Sequence, residues 1–441
     1  MKDNKGITLV ALVITIIVLM ILAVIVMLPI TACSNKSSPI FNGNVEIDAT
    51  SFEGKTFPFV YVNTDGNSQI TKEEYTNCSV SVNNTENEYV IDNATAKIKG
   101  RGNSTWGMPK KPYKIKFDSK VNLFGNGKEK TWLLIANYCD KSLSRNLLAY
   151  EIAREVGLSE TSTTQPVNVF LNGVYQGVYL VCEQVEIGKT RLNIESDLDN
   201  IDTGYLLEMD AHVVDEGVED IDYFSIDGKM YALKDPEREE AFTDEHFNFI
   251  KNYVANCYNA LSSNDYAVVQ NYIDVLSFAK CYLVHEMFNN IDVGFSSFYI
   301  YKKAGDKLFA GPLWDFDISS GNCDYTTRLN DGNNPEYLYA KNNNVWYNKL
   351  LNFAEFRTLV AEQLALYKDV ILAKKQEVVE YQLEYKDNNA LNFEVWDILH
   401  RYVWPNPKKV VKLHTFERQL AYLDSWLTVK LNYMSTVYTI A

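Results

Sequence analysis

The sequence predicts an α+β fold in two lobes, β-rich from about residue 55 to 235 and helix-rich from about 240 to 441. Three patterns point there. Apolar residues alternate with period two through much of the first part, as they do in half-exposed strands. After residue 240 they recur at helical spacing in long segments. Ahead of both stand an apolar, uncharged run within residues 1–33 and a Ser-, Asn- and Gly-containing linker over 34–54.

The first element is the apolar run. Lys2 and Lys5 precede Ile7 to Leu28, a stretch without charge. At about 1.5 Å per residue it reaches across a hydrocarbon core of roughly 30 Å. The flanking lysines keep the N-terminus cytoplasmic and send the body outward, so a membrane anchor exposed outside the cytoplasm is expected. Three readings fit. One is a plain signal anchor. In another, "ITAC", ending at Cys33, acts as a bacterial lipobox and makes a lipoprotein. In the third, "KGITLVALVITII" is a prepilin leader cut after Gly6, with Ala11 standing where a mature pilin carries Glu.

The strands come next. "FPFVYV" (57–62), "CSVSV" (78–82), "ATAKIKG" and "PYKIKF" are short and alternating. In the last, Tyr113, Ile115 and Phe117 share one face, and Lys114 and Lys116 the other. "SLSRNLLAYEIAREVG" (142–157) reads as a helix capped by Ser142 or Ser144 and ended by Gly157. "VNVFLNGVYQGVYLVCEQV" (167–185) is a hairpin turning at Asn172-Gly173, and "TGYLLEMD" (203–210) a further strand. Helices are expected over 243–262, 264–289, 345–382 and 415–438. One hairpin, "SSFYIYKKAGDKLFAGPLWDFD", lies between the second and third.

Composition bounds the function. The net charge of -15 argues against a general nucleic-acid binder, because such binding relies on Lys and Arg neutralising phosphates. The seven cysteines show no CxxC spacing, so a zinc site is not indicated. Cys182 and Cys281 lie in apolar runs and read as core. "NTDGNSQITKEE" (63–74) has part of an EF-hand spacing, but Ser68 replaces the required Gly and a strand precedes it, so it reads as a polar loop. His285 reads as a packed helix residue.

Three clusters carry chemistry. "KGRGNSTWGMPKKPYKIKFD" (99–118) joins glycines, hydroxyls and cations. Its glycines let backbone N–H groups approach phosphate oxygens. Arg101, Ser104, Lys110, Lys111, Lys114 and Lys116 add donors and charge. An ordinary Gly-rich turn with a solvated basic edge is the alternative. "HEMFNNIDVGFSSFYIYK" (285–302) puts Asp292 in a turn after a helix, in the outline of a kinase catalytic loop, with Asn290 as a possible metal ligand. An N-cap or turn aspartate is its bland reading. "WDFDISSG" follows the hairpin and offers Asp315 and Asp317, as a kinase metal-binding Asp follows its catalytic loop. Hard cations such as magnesium take carboxylate and phosphate oxygens.

At these residues the chain resembles the CotH kinase family, named for spore coat protein H. "GRGNSTWGMPKKPYKIKFDSK", "WLLIANYCDKSLSRNLLAYEIAREVG", "VNVFLNGVYQGVYLVCEQVEIGKTRLNI", "NNIDVGFSSFYIYK" and "GPLWDFDISSGN" carry the likeness, in order, across roughly residues 55–435. The resemblance implies an atypical protein-kinase-like fold, ATP with Mg2+ or Mn2+, and phosphorylation of Ser or Thr on cell-surface or spore coat proteins. It makes Asp292 the catalytic aspartate and Asp315 a metal ligand, helped by Asp317 or Asn290. Lys116, with Lys111 or Lys114 in reserve, is expected at the ATP phosphates. Glu151 is expected to pair with that lysine, and Glu208 to lie on the adenine side. A non-catalytic assembly protein that uses the fold as a scaffold is the rival reading.

Overall fold

A computed structural model describes residues 46–215, 221–237, 241–325 and 333–440. The apolar N-terminal run, with all three readings of it, and Cys33 lie outside them, as does most of the linker.

The alternating segments close into a barrel. Its strands are β1 (Phe59–Thr64), β2 (Thr76–Asn83), β3 (Ile91–Gly100), β4 (Tyr113–Asn122), β5 (Lys128–Ile135), β6 (Thr164–Leu171) and β7 (Val174–Glu183). They run in the order β1-β2-β3-β4-β5-β7-β6, and β1 closes the ring parallel to β6. One face of each strand fills the interior: Val60 and Val62, Val80 and Val82, Ile115 and Phe117, Trp132 and Leu134, Val167 and Val169. Burying such residues drives closure at about 25 cal/mol per Å² of apolar surface. The period of two then puts Lys114 and Lys116 outside. In register, Lys99 faces Lys114 and Lys97 faces Lys116 across β3 and β4. The β6–β7 hairpin turns at Asn172 (φ 50) and Gly173 (φ 79), the positive angles that a two-residue turn demands.

Helix α1 (Arg145–Glu155) joins β5 to β6 and ends at Gly157. Its cap differs from expectation. Ser144 takes the N-cap position without a side-chain cap bond. The Asp140 carboxylate does the work instead, accepting from the N–H groups of Ser142 (3.0 Å), Ser144 (3.0 Å) and Arg145 (2.8 Å).

A second sheet combines both parts of the chain. Its strands are β8 (Tyr205–Met209), β9 (Tyr223–Ile226), β10 (Lys229–Asp235), β11 (Phe298–Lys302) and β12 (Leu308–Ala310), ordered β12-β11-β8-β10-β9. The late hairpin is therefore not a lone insertion among helices. Its β11 pairs antiparallel with β8, Tyr299 opposite Glu208.

The helices of the second part are α2 (Asp244–Leu261), α3 (Tyr266–Tyr272), α4 (Val275–Phe288), α5 (Tyr339–Asn343), α6 (Val345–Leu350), α7 (Ala354–Glu384), α8 (Lys386–Val395), α9 (Lys408–Val411) and α10 (Phe416–Val437). The segment expected as one helix over 264–289 is two, because Asp274 caps a new start by accepting from Ser277 N–H at 2.8 Å. The 345–382 segment likewise divides, between α6 and α7. Helix α4 is almost wholly buried. Its Glu286 is paired inside with Lys430 of α10 at 2.7 Å. Thus the chain is α+β, β-rich first and helical later. The six described cysteines are buried and free.

Candidate functional site

Between the outer face of β3–β5, the second sheet and α1 lies a cavity of about 790 Å³, within the range of small-molecule sites. Asp292, Asp315 and Asp317 all line it.

Local structure explains their placement. Helix α4 stops at Asn289, whose φ of 43 is left-handed. Asn290 then caps a short 3-10 turn, Ile291–Gly294, that carries Asp292. The Asn290 side chain is spent there: Oδ1 accepts from Asp292 N–H (3.1 Å), and Nδ2 donates to the Asp315 carbonyl (2.9 Å). It thereby ties the backbones of two aspartates, and Asn290, expected as a metal ligand, is not among the residues lining the cavity. Asp315 has φ 62. Its Oδ2 accepts from Ser297 Oγ at 3.4 Å, and its N–H donates to Tyr150 Oη at 3.2 Å. Phe316 N–H donates to Asn146 Oδ1 at 2.7 Å. Cys139 Sγ lies 3.4 Å from Asp317 Oδ2.

The electrostatics of the three carboxyls are strained in one direction. Burial, then the charge of Asp315, pushes Asp292 up to about 7, against some relief from His212. Burial also raises Asp315, opposed by the Arg101 guanidinium and a hydrogen bond with Asp317. Asp317 is raised by burial and then by Asp315 and Asp292. Asp315 thus raises both of its neighbours, while the Arg101 guanidinium offsets only part of the burial effect at Asp315 itself.

The cationic residues divide. Arg101, Ser104 and Lys114 line the cavity. Arg101 lies over the Trp314 ring at 5.3 Å. The Gly-rich turn is close-packed: Gly102 has φ +84, and a β-carbon at Gly100 would lie 2.3 Å from the Trp106 ring. Lys116 stands on the exposed strand surface and is not part of the wall. Lys111 also points elsewhere, donating to the Trp106 carbonyl at 2.6 Å with its ammonium over that indole. Lys110 also borders the cavity, but it is buried and its ammonium is held by the Val178 carbonyl and Asn392 Oδ1.

Glu151 does not meet the lysine expected for it. Burial raises its carboxyl, and the cations around it are Lys374 of α7 and Arg154. Helical geometry explains this: Asn146 and Tyr150, four residues apart, share the cavity face, and Glu151 is turned about 100° away. Glu208 does reach the cavity wall, 3.3 Å from Lys234 Nζ. Lys234, Asp210, His212, Tyr150 and Asn146 also line it and were missed. None lies in a Gly-rich or paired-acid stretch, so no local signal marks them. His285 packs as expected, stacked on Phe316 at 5.4 Å and held down to about 3 by burial.

Among the described residues no group of three or more His, Cys, Asp or Glu forms a ready metal centre. The donors nonetheless suit a hard divalent ion. Asp315 and Asp317 line one cavity, burial raises both, and the charge of Asp315 raises Asp317 further. Magnesium-type ions bind through one or two carboxylates, with water and phosphate oxygens completing the shell.

A family model described as CotH kinase protein matches residues 98–434. No curated protein matches the chain.

Proposed function

We propose that this chain, which belongs to the CotH kinase family, transfers the γ-phosphoryl group of ATP to a Ser or Thr hydroxyl of proteins outside the cytoplasm, on a cell surface or spore coat. The reading includes a kinase-like relation between the two parts of the chain and an N-terminal membrane tether. One observation supports it above all: Asp292, Asp315 and Asp317 converge with Arg101 and Lys114 on one cavity.

Each residue then has a distinct task. Asp315, with Asp317, would hold Mg2+ or Mn2+. The ion would supply charge neutralisation across the phosphate oxygens. Arg101, Lys114 and the N–H groups of the Gly-rich turn would hold the phosphates. Glu208, beside Lys234, stands on the second-sheet wall, where the base would lie. Asp292 would orient the acceptor hydroxyl and take its proton as that oxygen bonds to phosphorus and the bond to the bridging oxygen breaks. Positioning and charge account for most of such catalysis.

Asp315→Asn and Asp292→Asn separate these tasks. Asp315→Asn is expected to abolish transfer and weaken metal-dependent ATP binding in calorimetry. Asp292→Asn is expected to abolish transfer while binding persists. Wild-type transfer by Asp315→Asn would make the carboxylates structural and end this reading.

A further inference from the structure

We propose that Tyr150 and Asn146 of α1 are positioning residues for the metal site, fixing the main chain of Asp315 so that the carboxylates of Asp315 and Asp317 stay turned into the cavity. This rests on the phosphotransfer reading above and adds the part that makes the ligands competent.

Asp315 occupies a left-handed backbone conformation, φ 62, which costs every residue but glycine something, Asp and Asn less than most. Support is visible on both flanking peptide groups. Asp315 N–H donates to Tyr150 Oη (3.2 Å), and Phe316 N–H donates to Asn146 Oδ1 (2.7 Å). The Asp315 carbonyl accepts from Asn290 Nδ2 (2.9 Å). Two of these three grips come from one helix, a full segment away in sequence.

The same helix holds the far side of the motif. Arg145 Nε donates to the Ser319 carbonyl (2.9 Å) and Nη2 to that of Ser320 (3.4 Å). Asn146 is itself oriented, its Nδ2 donating to Asn137 Oδ1 at 3.0 Å. Preceding Asp315, the Trp314 ring stacks with Tyr150 (6.0 Å, 27°) and also carries the Arg101 guanidinium over it at 5.3 Å. Helix α1 therefore contacts residues 314, 315, 316, 319 and 320, bracketing both carboxylates. Tyr150 and Asn146 bind main-chain amides, so they act through Asp315. If that backbone relaxed to an ordinary conformation, the carboxylate would swing away from its neighbour.

Tyr150→Phe removes one oxygen and keeps the ring on Trp314. The full chain is titrated with MnCl2 in the presence of ATP by calorimetry, and the melting temperature is read without metal. The manganese concentration for half-saturation is expected to rise about tenfold, about 1.4 kcal/mol, the size of one lost hydrogen bond. The metal-free melting temperature should move by no more than about 2 °C. Asn146→Ala should shift half-saturation in the same direction. Wild-type half-saturation in Tyr150→Phe overturns the proposal, with or without a lower melting temperature, because a merely structural hydroxyl gives that result. A wild-type chain that takes up no manganese with ATP overturns the function reading and this one together. Binding by wild type and equal binding by Tyr150→Phe overturns this one alone.

Discussion

Replacing Asp140 by Asn tests how the candidate site is carried. Asp140 and Arg145 are fully buried and paired, Oδ1 to Nη1, at 2.5 Å. The carboxylate also accepts from Ser142 Oγ (2.6 Å) and from three main-chain N–H groups at the start of α1. Asparagine keeps the shape but removes the charge, turning one acceptor oxygen into a donor that faces N–H groups. Arg145 is left as an uncompensated buried cation. Breaking a buried pair in this way costs about 3–5 kcal/mol. With an unfolding entropy of about 2.1 cal/mol/K per residue and roughly 400 residues, the melting temperature should fall about 4–6 °C. Scanning calorimetry on metal-free protein reads this directly. A second variant, Asp140→Asn with Arg145→Met, should regain part of the loss, since the stranded charge is gone. If Asp140→Asn melts within about 1 °C of wild type, the pair does not hold α1 and the reasoning fails.

Other outcomes follow from the same geometry. Lys114→Ala should weaken ATP binding at least tenfold, the effect of about 1.5–3 kcal/mol for a charge-assisted contact, whereas Lys116→Ala should change it little; equal effects in calorimetry would count against the cavity assignment. Asp292 is raised from 3.8 to about 7 by burial and Asp315, so between those values the folded chain keeps a proton that the unfolded chain has lost. Stability from this group therefore falls as pH rises from about 4 to 7. A metal-free melting temperature that declines from pH 5 to 8, less so in Asp292→Asn or with Mn2+ and ATP, is the expected fluorimetric result; an upward trend at this group contradicts it. Finally, the full chain should fractionate with membranes, and a chain lacking residues 1–33 should be soluble and still bind nucleotide. A full-length, uncleaved, wholly soluble protein would rule out the anchor.

Much of this molecule is local and was legible in the residues. Alternation in "PYKIKF" determines that Tyr113, Ile115 and Phe117 turn inward while Lys114 and Lys116 turn outward, because successive side chains of a strand leave opposite faces. Asn172-Gly173 determines a tight hairpin because both positions need positive φ. The spacing of Asp292, the hairpin and Asp315 marks the two aspartates that meet in the cavity. Tertiary packing decided the rest. A strand pattern cannot say which of two lysines on one face has a wall opposite it; the second sheet supplies that wall beside Lys114 and not beside Lys116. A helical stripe cannot say which flank faces a cavity, so Glu151 went to α7 and Tyr150 to Asp315. Helix α8 joins the barrel through amides, Asn388 with Asn168 and Asn392 with Lys110 and Val178 N–H. An apolar pattern cannot register such pairs, since their hydrogen bonds exist only once distant segments have already met.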